Sequence, residues 1–258
     1  MIDTHAHLFY KDFAGQLDEV LDRARAAGVE AIICVGLDLA SSETAIALAE
    51  KYPFIWATAG VHPHDAGEAP DGYLLQLEQL ASHPRVVAIG EMGLDFYRNL
   101  SPAETQQRVF REQLELAKSL DLPVVVHNRE ADEALYAALT SARHSRGVVH
   151  CFSSAVPFAR QILDFGLEIS FTGTVTFGKN HNAAVLEAVG LGHVMVETDC
   201  PYLAPTPKRG KTNEPSYLRH TVAAIAEICG TTAEAVGEIT TANARRLFGL
   251  PDSASGHG

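Results

Sequence analysis

The sequence predicts an α/β protein folded as a single-domain (β/α)8 TIM barrel, and three observations carry that prediction. Short apolar, β-branched runs alternate with longer amphipathic stretches, a pattern that implies parallel strands joined by right-handed helical crossovers. Eight such runs occur, enough to close a ring, and 258 residues match the ~250 that such a barrel needs. Polar, chemistry-bearing residues cluster at the C-terminal ends of the runs, where this fold gathers its active site. An open doubly wound sheet is the alternative, with its polar residues gathered around one crevice.

The strand candidates run in order as MIDTH, Glu30–Gly36, Phe54–Val61, Val86–Gly93, Pro123–Asn128, Gly147–Phe152, Leu167–Gly173 and His193–Cys200. Helical patterns fill the spaces between most of them: 13–28, 41–52, 103–120, 130–142, 155–166 and 182–190, then 216–230 and 240–250. Gly28, Gly166 and Gly190 stand where helices commonly end. No repeat beyond the βα alternation and no linker interrupts the chain, so residues 1–250 form one domain. Residues 251–258, PDSASGHG, read as a disordered tail in which His257 is incidental.

Composition narrows the function. Hydrophobic residues make up 47% and charged residues 20%, as in an ordinary globular protein with a sizeable core. The formal net charge of −12 argues against a broad electrostatic grip on nucleic acid. It leaves room for an enzyme that handles polyanions through a local basic patch or bound cations. Cys34, Cys151, Cys200 and Cys229 are scattered without a C-x-x-C, which reads as reduced, mostly buried thiols in a cytoplasmic protein. Asp3 and two histidines stand where a signal peptide would need apolar residues, and no run reaches the ~18 residues of a membrane span. A monomer with no membrane contact is expected.

The strand ends carry the chemistry. His5 and His7 lie on one face of the first strand, because positions i and i+2 share a face. Strand three ends in His62-Pro63-His64, strand four in Glu91 and then Asp95, strand five in His127-Asn128-Arg129, strand six in His150 and strand eight in Glu197-Thr198-Asp199. The four imidazoles of His5, His7, His127 and His150 and the carboxylates of Glu91 and Asp199 are enough to ligate two cations, since carboxylates bridge and imidazole suits zinc, manganese and their neighbours. Two cations ~3.5–4 Å apart clamp an in-line displacement at phosphorus.

The segments IDTHAHL, GVHPH, GEMGLDFYR, VVVHNRE, HCFSS, SFTGTVTF and ETDCPYLAPTPKRGKTNEP together resemble the TatD family of metal-dependent deoxyribonucleases, within the amidohydrolase-like barrels. The resemblance runs from Ile2 to about Leu250. The family's usual pattern has Ile at the position of Met92, often Gly at Ser154 and often Ala at Cys200. None of these differences falls on an expected ligand.

The resemblance implies roles. His5 and His7 match ligands of a first metal, His127 and His150 those of a second, and Glu91 the bridging carboxylate. Many amidohydrolases bridge with a modified lysine, and here no lysine lies near a predicted strand end before Lys179. Asp199 matches the residue that ligates or orients the attacking water and takes its proton; as the residue two before Pro201 it also suits a helix N-cap. His62, His64 and Arg129 are candidate phosphate contacts, His62 and His64 also candidate supports of the ligands. Asp95 and Tyr97 are rim residues. Glu197 and Asp3, one step deeper than Asp199 and His5, take supporting roles, and Cys151 and Cys200 pack. Pro207-Lys208-Arg209-Gly210-Lys211 is the one dense basic run, and it suits holding a polyanion's phosphates.

The activity implied is two-metal hydrolysis of phosphodiesters, trimming single-stranded DNA from its 3′ end, with magnesium, manganese or zinc. The same site acting on a carbonyl, as an aminoacyl-tRNA deacylase or an amidase or lactonase, is the alternative. A non-enzymatic metal-dependent scaffold or binding module fits the acidic total and the full ligand set less well.

Overall fold

The computed structural model describes residues 1–178 and 181–252. Lys179 and the end of the expected tail, residues 253–258 with His257, lie outside the described residues. Eight parallel strands stand in the order of the sequence: β1 Ile2–Ala6, β2 Ala31–Val35, β3 Ile55–Ala59, β4 Val86–Asp95, β5 Val124–Arg129, β6 Gly147–Val149, β7 Glu168–Phe171 and β8 Val194–Val196. The ring closes where the chain beyond β8 returns to β1. Ala6 bridges Cys200, the His7 N–H donates to the Cys200 carbonyl at 2.9 Å, and the Asp199 N–H donates to the His5 carbonyl at 2.9 Å. The protein is therefore a (β/α)8 barrel.

The strands form because their residues bury both faces. In β2, Ile32 and Cys34 join the layer between strands and helices, while Ile33 and Val35 join a second cluster with Ile2, Val125, Val148 and Met195. That alternation is the period of a strand. Ala244, Leu247 and Phe248 of the last helix pack with this second cluster.

The helices are α1 Leu17–Ala26, α2 Leu39–Lys51, α3 Tyr73–Ala81, α4 Ala103–Ser119, α5 Asp132–Ala142, α6 Val156–Phe165, α7 Asn182–Val189, α8 Leu218–Cys229 and α9 Ala233–Phe248. Two differ from the sequence reading. α3 fills the space after β3 that the sequence pattern left without a helix, and it opens on Gly72 rather than on a capping Ser, Thr, Asp or Asn. α9 starts at Ala233, capped by the Thr232 side chain, and not at Thr240. α2 begins two residues early because Asp38 caps it, accepting the Ser41 N–H at 2.7 Å. No helix among the described residues is long and apolar enough to cross a membrane.

β6 and β8 stop short of the expected ends, at Val149 and Val196. His150 and Asp199 therefore sit on backbone that has just left the ladder, and Cys151 and Asp199 take left-handed φ values of 46° and 55°. β4 runs two residues longer than expected, to Asp95.

Candidate metal centre

Six side chains from five strand ends meet above the barrel core. His5, His7, Glu91 and His150 are buried, with Glu91 only 2% exposed, and Asp199 and His127 border the opening. Glu91 is the hub. Its Oε2 lies 3.2 Å from His5 Nε2 and 3.8 Å from His7 Nε2. Its Oε1 lies 2.7 Å from His150 Nε2, 3.0 Å from His127 Nδ1 and 3.4 Å from His62 Nε2. Asp199 Oδ1 completes the first side, 3.4 Å from His7 Nε2 and 3.8 Å from His5 Nε2. The two oxygens of one carboxylate thus serve two separate sets of imidazoles.

For His7 a hydrogen bond on the outer nitrogen settles that the inner one carries a lone pair. His7 Nδ1 donates to the Val35 carbonyl at 2.9 Å, leaving Nε2 as the acceptor that faces the centre. His150 Nδ1 stands 3.3 Å from Glu197 Oε1, and His127 Nε2 stands 3.4 Å from Asp95 Oδ2, so each ring turns its other nitrogen inward. Asp95, expected at the rim, lies buried beneath His127. It also pairs with His64 Nε2 at 2.7 Å and accepts the backbone N–H groups of Tyr97 and Arg98. Glu197 supports His150 as expected, and its oxygens accept the Cys151 N–H and the Ser170 hydroxyl, both at 2.7 Å. Asp3 ties β1 to the chain beyond β8, accepting the N–H and hydroxyl of Thr198, and its burial pushes its carboxyl up to about 7.

His62 is the exception. The His64 N–H donates to its Nδ1 at 3.1 Å, so the neutral ring carries its proton on Nε2 and offers Glu91 a donor. Burial pushes its pKa down to about 4, which keeps the ring neutral. Although His62 Nε2, Glu91 and His127 lie close enough together to share an ion, this tautomer makes His62 a hydrogen-bond donor and not a ligand. The His62 segment is held by the His62 N–H donating to the Leu37 carbonyl and by Gln113, which bonds both backbone groups of Val61 at 2.8 and 3.0 Å.

The charges are strongly coupled. Burial raises the pKa of Glu91, but His150, His62 and His5 overcome this and hold it well below the usual carboxylate range. Burial likewise opposes a charged His150, yet Glu91 and Glu197 raise it well above an ordinary histidine. His5 goes the other way, lowered by burial and by its stack on His150 at 4.0 Å between ring centres. Asp199 is raised by burial and lowered more by His7 and His5.

This donor set fits divalent cations. His5 Nε2 and His7 Nε2 face each other at 3.2 Å, and His150 Nε2 and His127 Nδ1 at 3.4 Å. Inward lone pairs at such spacing repel unless a proton or a cation lies between them. Ligand atoms of His5, His7 and Asp199, and of His5, Glu91 and His150, lie within 4.8 Å of one another. Imidazoles with carboxylates suit zinc, manganese and similar ions.

The whole chain matches a known family. Residues 2–249 fit the family model described as TatD related DNase. The chain belongs to that family. It is 42% identical over 252 residues to the uncharacterized metal-dependent hydrolase YabD of Bacillus subtilis, covering 96% of this chain and 98% of that one. It is 39% identical over 259 residues to the 3'-5' ssDNA/RNA exonuclease TatD of Pectobacterium atrosepticum, covering 97% of this chain and all, 100%, of that one. Among solved structures, the TatD homolog YjjV of Escherichia coli superposes with a TM-score of 0.93 at 32% identity, over 97% of this chain and 98% of that one. The protein is a metal-dependent hydrolase of the TatD family.

In this TatD-family chain the expected phosphate contacts divide: His62 sits within the centre and His64 on Asp95 beside it, whereas the cationic side chains pair with aromatic rings. Arg129 is exposed and stacks its guanidinium 4.1 Å from the Tyr97 ring. Lys208 and Arg209 lie on the loop after Asp199, over the rings of Tyr217 at 5.1 Å and Phe177 at 3.9 Å, and Lys211 is exposed beyond them. Among the described residues no ion pair joins these four cations to the cluster. The loop is anchored by Asn213, which donates to the Thr198 and Tyr202 carbonyls at 2.8 and 2.6 Å, and by Glu214, which takes Arg23 in a bidentate pair with a shortest contact of 2.6 Å. No helix follows Asp199 before residue 215, so the N-cap reading of Asp199 falls away. Its carboxylate turns into the centre instead. Cys200 is fully buried, and the Cys151 thiol meets the Thr172 hydroxyl at 3.6 Å.

Proposed function

We propose that this chain hydrolyses phosphodiester bonds, removing nucleotides from the 3′ end of single-stranded DNA or a similar nucleic acid, with two divalent cations held by His5, His7, Glu91, His127, His150 and Asp199. The observation that carries this reading is the division of Glu91, one oxygen toward His5 and His7, the other toward His127 and His150. When bound, such cations supply Lewis acidity to a phosphoryl group and neutralise the charge that builds on it.

The chain's own residues do the rest. Asp199, held ionised beside His7 and His5, is placed to orient the attacking water and take its proton. His62, with its proton on Nε2, offers a neutral donor to a phosphoryl oxygen at the same centre. Asp95 and Glu197 fix the rings of His127 and His150, so the donors need no reorganisation during the reaction. Lys208, Arg209, Lys211, Arg129 and His64 are the candidate contacts to phosphates on either side.

The test is turnover of a 5′-labelled single-stranded DNA oligomer by metal-free protein reloaded separately with magnesium, manganese and zinc. A ladder shortening stepwise from the 3′ end is the expected result. No shortening with any ion, from protein shown by calorimetry to bind two, would move the assignment to a carbonyl substrate.

The basic loop makes its own prediction. Replacing Lys208 and Arg209 together with alanine is expected to raise KM for DNA severalfold and leave kcat nearly unchanged. The slope of log(kcat/KM) against log[salt] should flatten by roughly 1 to 1.5. A fall in kcat alone would mean that the loop does not grip phosphates.

A further inference from the structure

Beside the metal centre stands a pair of aromatic rings that the proposed chemistry leaves without a task. Tyr202 follows Asp199 by three residues and is 51% exposed. Its N–H donates to the Asp199 carbonyl at 3.0 Å, and its own carbonyl accepts from Asn213 at 2.6 Å, so the ring is held in register with the centre. Tyr10 reaches the same place from the loop after β1. Its ring lies 5.7 Å from His7 and 5.7 Å from Tyr202, whose plane it meets at 75°. Phe9 backs Tyr10 at 5.2 Å. Two nearly perpendicular rings make a corner. A flat molecule laid on one ring presents its edge to the other.

The other aromatics of the rim are engaged differently. Tyr97 carries the Arg129 guanidinium, Phe177 that of Arg209 and Tyr217 the Lys208 ammonium. Among the described residues no cation lies over Tyr10 or Tyr202. The mouth thus separates its chemistry: positive charge over some rings, bare π surface on the pair beside the ligands.

We propose that Tyr10 and Tyr202 are the seat of an unpaired nucleobase, that of the terminal nucleotide whose phosphodiester lies at the metal centre. The inference rests on the nucleic-acid reading above and deepens it. An enzyme that shortens a strand one nucleotide at a time meets all four bases in turn. Hydrogen bonds to base edges would favour one of them, whereas a stacking surface accepts every base, because each has a π face. In a duplex the terminal base is held by its complement and by the stack beneath it, so a seat that takes up its ring also selects for single strands.

The experiment compares kcat/KM for two single-stranded DNA oligomers, identical except that the second ends in a 3′ abasic residue. The wild-type protein is expected to favour the complete oligomer by about tenfold and to treat the four terminal bases alike within about threefold. Tyr202→Leu and Tyr10→Leu should each narrow the ratio toward one, and Tyr202→Phe should keep it. The ratio is taken within each variant, so a smaller folded fraction cancels. Equal cleavage of both oligomers by the wild type, or an undiminished ratio in Tyr202→Leu, overturns the seat alone. A wild type that cuts neither, though loaded with metal, overturns the nuclease reading and the seat with it.

Discussion

Glu91→Ala is expected to lower kcat by about three orders of magnitude or more, the scale on which removing one preorganised electrostatic group at a reacting centre acts. Glu91 is the residue through which the two halves of the centre communicate, since His5 and His7 meet one of its oxygens and His127, His150 and His62 the other. Without it each half keeps imidazoles but loses the anion that would hold the two proposed cations side by side. Calorimetric titration with zinc or manganese should then show fewer than two ions bound per chain. The barrel itself should persist, because Glu91 contributes to the site and not to the apolar layers on either side of β4. Glu91→Gln separates charge from shape: it keeps the volume and one acceptor and should be nearly as inactive. Near-normal turnover from protein with an unchanged circular-dichroism spectrum would rule out the bridging role.

Gly93→Ala is expected to damage both the fold and the centre without touching any ligand. Gly93 pairs with His127 across β4 and β5 and has a φ of 142°, a conformation that side-chain-bearing residues rarely adopt. A Cβ there would overlap the His127 carbonyl oxygen. The strand that carries Glu91 would be pushed from the strand that carries His127. Backbone strain and overpacking together should cost about 3 kcal/mol of stability, read from the urea midpoint. Affinity for zinc or manganese at the proposed site that includes His127 should fall at least tenfold. Gly72→Ala is the control. Its φ is also positive, at 77°, but no atom lies within 4 Å of the added methyl group, so it should cost about 1 kcal/mol and leave metal binding unchanged. A Gly93→Ala protein that binds metal as tightly as the wild type would show that β4 and β5 tolerate separation at this level.

Much of this protein is legible in its sequence. The eight strands, their order and the parallel barrel follow from β-branched runs alternating with amphipathic ones, because burying both faces of a strand leaves an apolar run that periodicity reports directly. The ligand candidates follow from residue type and position, since few residues place imidazoles and carboxylates at the ends of apolar strands. α3 was hidden because Gly72 precedes it and no capping side chain marks its start.

What only the tertiary structure decided are the relations between distant parts of the chain. That Glu91 divides its oxygens, that Asp95 lies under His127 and not at the rim, and that Asp199 turns inward instead of capping a helix all depend on register and barrel closure. That His62 Nε2 meets Glu91 depends on the pairing of β3 with β4, and the corner of Tyr10 and Tyr202 on a ring that joins the first strand to the last. Local pattern states which face of an element a residue occupies. Which nitrogen of a ring points inward, and what it meets there, is set by hydrogen bonds and packing between elements far apart in the chain.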